Sequence, residues 1–197
     1  VGTTNAGQVF PPIKTKQREV GLKYDAGRFA ATASLFQIQK PSATAVAHAD
    51  GTSTYTMDGE QRNRGAEVSV FGQVVRSTRL LGGVAYTRAS LTHTENGTLD
   101  GKTAPNVSRW QLNLGAEHDL AFLPGATLSA RMVSTSSQYL SETNTQHIPG
   151  WTRWDVGARY TTQAMGRPLI LRAGIENLLG RDHWTTASWS WVKLGTP

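Results

Sequence analysis

Alternation of apolar and polar side chains, repeated through nearly the whole length of this chain, commits it to strands. Between Arg109 and Leu120, Trp110, Leu112, Leu114 and Ala116 share one face, while Gln111, Asn113, Glu117 and Asp119 share the other. Successive side chains of a strand point to opposite faces, whereas a helix would bring apolar residues back every three or four positions. The same period runs through Lys14–Asp25, Gly65–Val75, Arg79–Thr92, Ala126–Ser137, Trp151–Thr161 and Leu169–Asn177, and more weakly through Phe29–Lys40. No segment of helical length shows the helical period. The pattern predicts an all-β chain, an antiparallel up-and-down meander of about eight strands.

The connections narrow this further. Short ones around Ala26-Gly27-Arg28, Arg76-Ser77-Thr78, Leu123-Pro124-Gly125 and Thr162–Pro168 alternate with long ones at Pro41–Asp58, His93–Asn106 and Gln138–Gly150, and a last long segment follows Gly180. Antiparallel neighbours linked this way carry all their tight turns at one end. Outer-membrane barrels have short turns on one side and long loops on the other, and a soluble sandwich has no reason to segregate loop length by end. Mid-strand charges such as Arg131, Arg159, Arg172 and Glu176 fit either the solvent face of a sandwich or the lining of a hydrated lumen.

Composition agrees with a barrel without requiring one. Hydrophobic residues make up 38% of 197, and no run of eighteen apolar residues exists, so a transmembrane helix is excluded. Barrel strands need an apolar residue only at every second position, so low hydropathy does not argue for solubility. Cysteine is absent, which removes disulfides and thiolate metal sites. The net charge is +6, from 20 Lys and Arg against 14 Asp and Glu, and the basic residues are spread along the chain rather than gathered in a stripe. That spread speaks against nucleic acid and leaves anionic lipid or an anionic ligand as charge partners. Val1–Asn5 lacks the features of a signal peptide, so an exported protein of this sequence is expected to carry its signal well upstream.

Catalytic motifs are missing: no G-x-S-x-G elbow, no H-E-x-x-H and no Walker loop. His48, His93, His118, His147 and His183 lack metal-ligand spacing, and Glu117 with Asp119 reads as lumen lining as well as it reads as an acid–base pair. Asn96-Gly97-Thr98 has the form of a sequon but is expected to serve as a turn. The chain reads as a non-enzyme with no metal site of its own.

Five segments resemble, in order, the barrel of TonB-dependent ferric-siderophore receptors. They are Asn5-Ala6-Gly7 with Pro11-Pro12 and Lys14–Tyr24; Ala33–Ile38; Gly59–Glu67, similar to a "G-x-x-R-x-x-G-x-E" strand opening; Asn144-Thr145-Gln146 with Ile148–Arg153 and Asp155; and Glu176–Trp184, similar to "N-L-F-D-x-x-Y". Leu179-Gly180 stands where that last motif usually has Phe-Asp, and His183-Trp184 replaces the common aromatic pair.

The resemblance implies a 22-stranded transmembrane β-barrel of the Gram-negative outer membrane, of which residues 1–197 are a C-terminal segment without the plug domain or the final strand. It implies a receptor that binds ferric siderophores and imports them with TonB acting through the plug. Iron would be carried only as cargo, with no cofactor and with outer-membrane lipid around the barrel. Trp184, Trp189 and Trp191, and Tyr139 with Trp151 and Trp154, lie around long connections, where rings serve either as an interfacial girdle or as ligand contacts. Under the second reading Tyr55, Tyr139, Trp184 and Trp189 contact the siderophore, and Arg62 and Arg153 meet its negative charge. A TonB-dependent receptor for another nutrient, a small autonomous outer-membrane barrel and a soluble β-sandwich binding module remain as alternatives.

Overall fold

A computed structural model describes residues 2–188 and 191–195. Eight strands form one antiparallel sheet in chain order, β1 (Lys16–Asp25), β2 (Phe29–Ala47), β3 (Ser53–Val75), β4 (Thr78–Thr92), β5 (Trp110–Asp119), β6 (Ala126–Thr135), β9 (Trp151–Ala164) and β10 (Arg167–Ile175). Two small ribbons stand outside the sheet: β7 (Gln138–Tyr139) with β8 (His147–Ile148), and β11 (Trp184–Ser188) with β12 (Trp191–Leu194). A 3-10 turn at Glu95–Gly97 is the one helical element among the described residues, with Asn96 left-handed at φ 49°, so the Asn-Gly-Thr tripeptide does form a turn. The meander is a single layer, which sets aside the two packed sheets of a sandwich. Among the described residues β1 and β10 are the sheet's unpaired edges, so this chain does not close on itself as a small barrel.

Tight turns gather at one rim as the sequence predicts. The β1–β2 turn is held by the Gly27 amide donating to Asp25 Oδ1 at 2.8 Å. The β9–β10 connection is tighter than the expected Thr162–Pro168: the ladder continues to Ala164↔Arg167, leaving Met165 and Gly166, both at positive φ (53° and 75°). Two left-handed residues make the hairpin turn whose twist matches the strands.

The opposite rim needs a correction. Pro41–Asp58 is not a long loop: β2 and β3 stay paired to Ala47↔Ser53, and only 48–52 forms the tip. Proline removes a ladder donor, and Pro41 sits beside the register shift between Ser42 and Thr44, where a strand tolerates it. The alternating Thr44–Ala47 and Ser53–Thr56 segments then carry the ribbon onward.

Register sorts the faces. Val20, Leu35, Ala66 and Tyr86 occupy one row, and Val84, Leu112, Leu114, Met132, Trp154 and Val156 continue the same face, called outward below. Glu19, Glu67, Asn113, Glu117, Arg131, Asp155 and Arg159 lie on the inward face. That face is not wholly polar, since Phe71 pairs with Leu81 on it. No large side chain among the described residues is fully buried, and Leu22, Leu35, Val68, Leu128, Trp154 and Leu171 are exposed on the outward face. A soluble monomer rarely presents an apolar surface of that extent, whereas a sheet set in lipid uses it.

Candidate functional site

On the inward face, charged side chains are engaged by polar partners on neighbouring strands or two residues along their own strand. Near the tight-turn rim the Arg79 guanidinium donates twice to the Asp119 carboxylate, each at 2.7 Å, and once to Glu117 at 3.2 Å. Arg159 reaches the same Glu117 at 3.4 Å, and the Thr127 hydroxyl donates to Asp119 at 2.7 Å. Farther up, Arg131 donates to Asn113 at 2.9 Å and Arg153 pairs with Asp155 at 3.0 Å. Opposite charges facing one another across β4, β5 and β9 hold a hydrated wall in register.

Above this wall the long connections lock onto one another. The β4–β5 connection folds back along β4, with the Leu91 amide donating to Lys102 O at 2.9 Å, and it buries Ala89, Leu91 and Ala104 beneath Leu99 and Val107. Asn144, left-handed at φ 59°, ties the β6–β9 connection to it: its amide donates to Thr103 O at 2.8 Å and its carbonyl accepts from the Thr103 amide at 2.7 Å. The Asn106 amide donates to Tyr139 O at 3.0 Å. Asn177, left-handed at φ 51°, organises the exit from β10. Its amide donates to Asp155 at 2.9 Å, and its side chain clasps the backbone of Arg181. Thr94's amide and hydroxyl, both donating to Asp100, hold that carboxyl below the usual carboxylate range. Thr52's hydroxyl and then its amide do the same for Asp50 at the β2–β3 tip.

Two small cavities open at this rim. One, about 380 Å³, is lined by Val107, Arg109, Trp110, Tyr139 and His147, with the Tyr139 and His147 rings edge-on at 6.3 Å. The other, also about 380 Å³, is lined by Pro149, Trp151, Arg181, His183 and Trp184. Trp151 stacks on His183 with ring centroids 4.0 Å apart. Among the described residues the buried donors Trp151 Nε1 and Arg153 Nε have no partner, and they sit two residues apart on the inward side of β9. Such donors suit an acceptor-rich anionic guest.

The six sequence candidates therefore separate. Trp184 lines the second cavity with Trp151, and Arg153 lies just below Trp151 on β9. Tyr139 lines the first cavity. Tyr55 is exposed far out on the β2–β3 ribbon, its backbone fixed on both sides by Asn5 at 3.0 and 2.8 Å. Arg62 occupies the outward face, in the same strand parity as Ala66, and pairs with Glu60 at 2.8 Å. Trp189 lies outside the described residues. Sequence reading overlooked Trp151 and His183 as a stacked pair and Asn144 and Asn177 as clasps, although asparagine beside turn residues is the signal for such left-handed positions.

Residues 1–178 match the family described as TonB dependent receptor-like, beta-barrel. The chain is 37% identical over 195 residues to the ferrichrome receptor FcuA of Yersinia enterocolitica, covering 98% of this chain and 25% of that protein. It is 28% identical to the ferrichrome outer membrane transporter/phage receptor of Escherichia coli K12, over 90% of this chain and 24% of that one. Among solved structures, BauA, the ferric preacinetobactin receptor of Acinetobacter baumannii, superposes with a TM-score of 0.87 at 43% identity, over 99% of this chain and 30% of BauA. The siderophore receptor PiuA of the same organism shares the fold at a TM-score of 0.80 and 22% identity, over 91% of this chain and 26% of PiuA. The chain thus spans about a quarter of the length of the curated relatives it matches.

Proposed function

The chain belongs to the TonB-dependent receptor β-barrel family, and on that premise we propose that the receptor containing it takes up ferric siderophores across the outer membrane. The family's barrels are outer-membrane proteins of Gram-negative bacteria, and the relatives found are transport receptors. The chain contributes a stretch of wall to a larger barrel, of 22 strands on our reading, with a plug supplied by the rest of the protein. The siderophore binds at the rim of long connections, TonB supplies the energy through the plug, and iron travels as cargo without any bond made or broken by the protein.

One observation carries the placement of the ligand: the unpartnered Trp151 and Arg153 donors beside the cavity of Trp151, His183 and Trp184, on the inward side of the long-connection rim. An anionic chelate supplies the acceptors those nitrogens lack, and flat rings offer it stacking surface. Arg153 and Trp184 form the first set of contacts, with Tyr139 in the adjacent cavity and Tyr55 on the extended ribbon. Arg62 falls outside the set because its outward position and its pairing with Glu60 direct it away from the lumen.

Titrating the full-length receptor with ferric siderophores by quenching of tryptophan fluorescence tests this. Arg153→Ala is expected to weaken binding by roughly tenfold to a hundredfold, the worth of a hydrogen bond to a charged group. Arg153→Lys keeps the charge opposite Asp155 and should recover only part, since it lacks the planar fork. Indifference to every ferric siderophore, with uptake of a different nutrient, would overturn the cargo assignment.

A further inference from the structure

Asp155 stands where the wall meets the rim, and both of its carboxylate oxygens are taken. Oδ2 accepts from Arg153 Nη2 at 3.0 Å, and Oδ1 accepts from the Asn177 backbone amide at 2.9 Å. Trp151, Arg153 and Asp155 occupy alternate positions of one strand, so all three side chains lie on the inward side of β9. Arg131 is directly opposite Asp155 in the register, yet it turns its Nε to Asn113 at 2.9 Å. Arg153 is therefore the ion-pair partner of Asp155 among the described residues. The Arg153 and Asp155 side chains are 17% and 14% exposed, so water competes little for either.

From Asp155 the contacts run in a closed circuit around the cavity of Trp151, His183 and Trp184. Asn177, anchored by its amide, grips the Arg181 backbone through its side chain at 2.9 and 3.2 Å. The Arg181 carbonyl accepts from His183 Nδ1 at 3.1 Å, and the His183 ring lies on Trp151 at 4.0 Å. Trp151 is two residues above Arg153 on the same face of β9, which closes the circuit. Two donors converge on position 155, and a carboxylate serves both. An amide there would keep one oxygen for the Asn177 N–H and turn its own N–H groups toward the guanidinium, donor against donor. Holding Arg153 Nη2 in advance leaves Nε as the free donor, and a ligand then need not order a long side chain on arrival.

We propose that Asp155 is a positioning residue for the ligand: one oxygen fixes the Arg153 guanidinium, and the other ties the connection that carries His183 and Trp184 to the wall. This role rests on the reading of Arg153 as a contact of an anionic ferric chelate. Charge and position predict opposite outcomes here. A carboxylate beside the site repels an anion, so removing its charge alone would tighten binding, whereas removing its grip on Arg153 weakens it.

The test is a double-mutant cycle in the full-length receptor, read by ferric-siderophore titration and by amide exchange across 177–183. Asp155→Asn is expected to weaken binding about tenfold while exchange stays as in the wild type, since its remaining oxygen still accepts from Asn177. Added to Arg153→Ala, the same change should weaken binding no further, because it acts through the side chain already removed. Asp155→Ala drops both acceptors and should also quicken exchange across 177–183. Tighter or unchanged binding by Asp155→Asn would overturn the proposal. So would losses that multiply when Asp155→Asn and Arg153→Ala are combined, or exchange that Asp155→Ala leaves unchanged. If Arg153→Ala does not fold, the direction of the Asp155→Asn effect decides by itself. Arg153→Ala that folds and keeps full affinity would defeat the reading of Arg153 and this role with it. Wild-type receptor that binds another nutrient and no ferric siderophore would defeat the cargo reading alone, and the same cycle run on that nutrient then judges Asp155.

Discussion

Asn144 shows how much of the rim depends on single residues. Its side chain contributes three hydrogen bonds, two to Thr103 and one to Ser141 O at 3.2 Å, and so joins connections that are 41 residues apart in sequence. Asn144→Ala should leave the Thr103 amide and carbonyl without these partners, at about 1–3 kcal/mol of local stability. Amide exchange across 99–104 in the full receptor is expected to quicken accordingly while the β4 and β5 ladder holds. Asp100 makes the same connection sensitive to pH. Its folded value lies below its unfolded one because Thr94 donates to the carboxylate, so the stabilisation is present above the unfolded value and is lost as pH falls through the folded one. Protection of the Thr94 and Leu99 amides should therefore hold at neutral pH and decline below about pH 4, and protection that is flat through that range would contradict the assignment.

At the scale of elements, the two faces of β5 make opposite predictions. Leu114 faces outward between Gly82 and Met132, and Asn113 faces inward between Gly83 and Val133. Leu114→Arg should cost about 2–4 kcal/mol if its position lies near the bilayer midplane, whereas Gln111→Arg, on the same inward face as Asn113 between Ala85 and Thr135, should be close to neutral in a hydrated lumen. Urea unfolding of the receptor in lipid vesicles measures both, and equal costs would mean that the faces are wrongly assigned. Strand extent follows a different rule from strand face. Pro41 reads as a breaker, yet the β2–β3 ribbon passes it at a register irregularity, because pairing with β3 beyond that point compensates for one missing donor.

At the scale of the whole molecule, β1 and β10 expose a full strand edge each, all their residues being open to solvent in this chain alone. Unpaired edges are tolerated neither in lipid nor for long in water. In the intact receptor the β1 and β10 amides should exchange as slowly as those of β4 and β5, through pairing with strands of the rest of the barrel. In the excised segment they should exchange much faster, with association through the edges. Equally fast exchange in the intact receptor would contradict a larger barrel.

The alternation of side chains and the segregation of tight turns were legible from residues alone, because both arise from the local geometry of a pleated strand and a two- or three-residue reversal. Eight strands, their order and which residues share a face followed from that. The site was less legible. Tyr139, Arg153 and Trp184 were candidates by residue type, but the placing of Tyr139 and Trp184 at two different cavities, the Trp151–His183 stack and the clasps of Asn144 and Asn177 depend on where long connections land. Arg62 looked like a ligand contact until its register placed it on the outward face beside Arg64 and Arg88. Local sequence determines the direction of a side chain relative to its own strand. Which cations become neighbours, and which donors are left without partners, is set by registers and loop closures between residues tens of positions apart, and tertiary structure alone decides those.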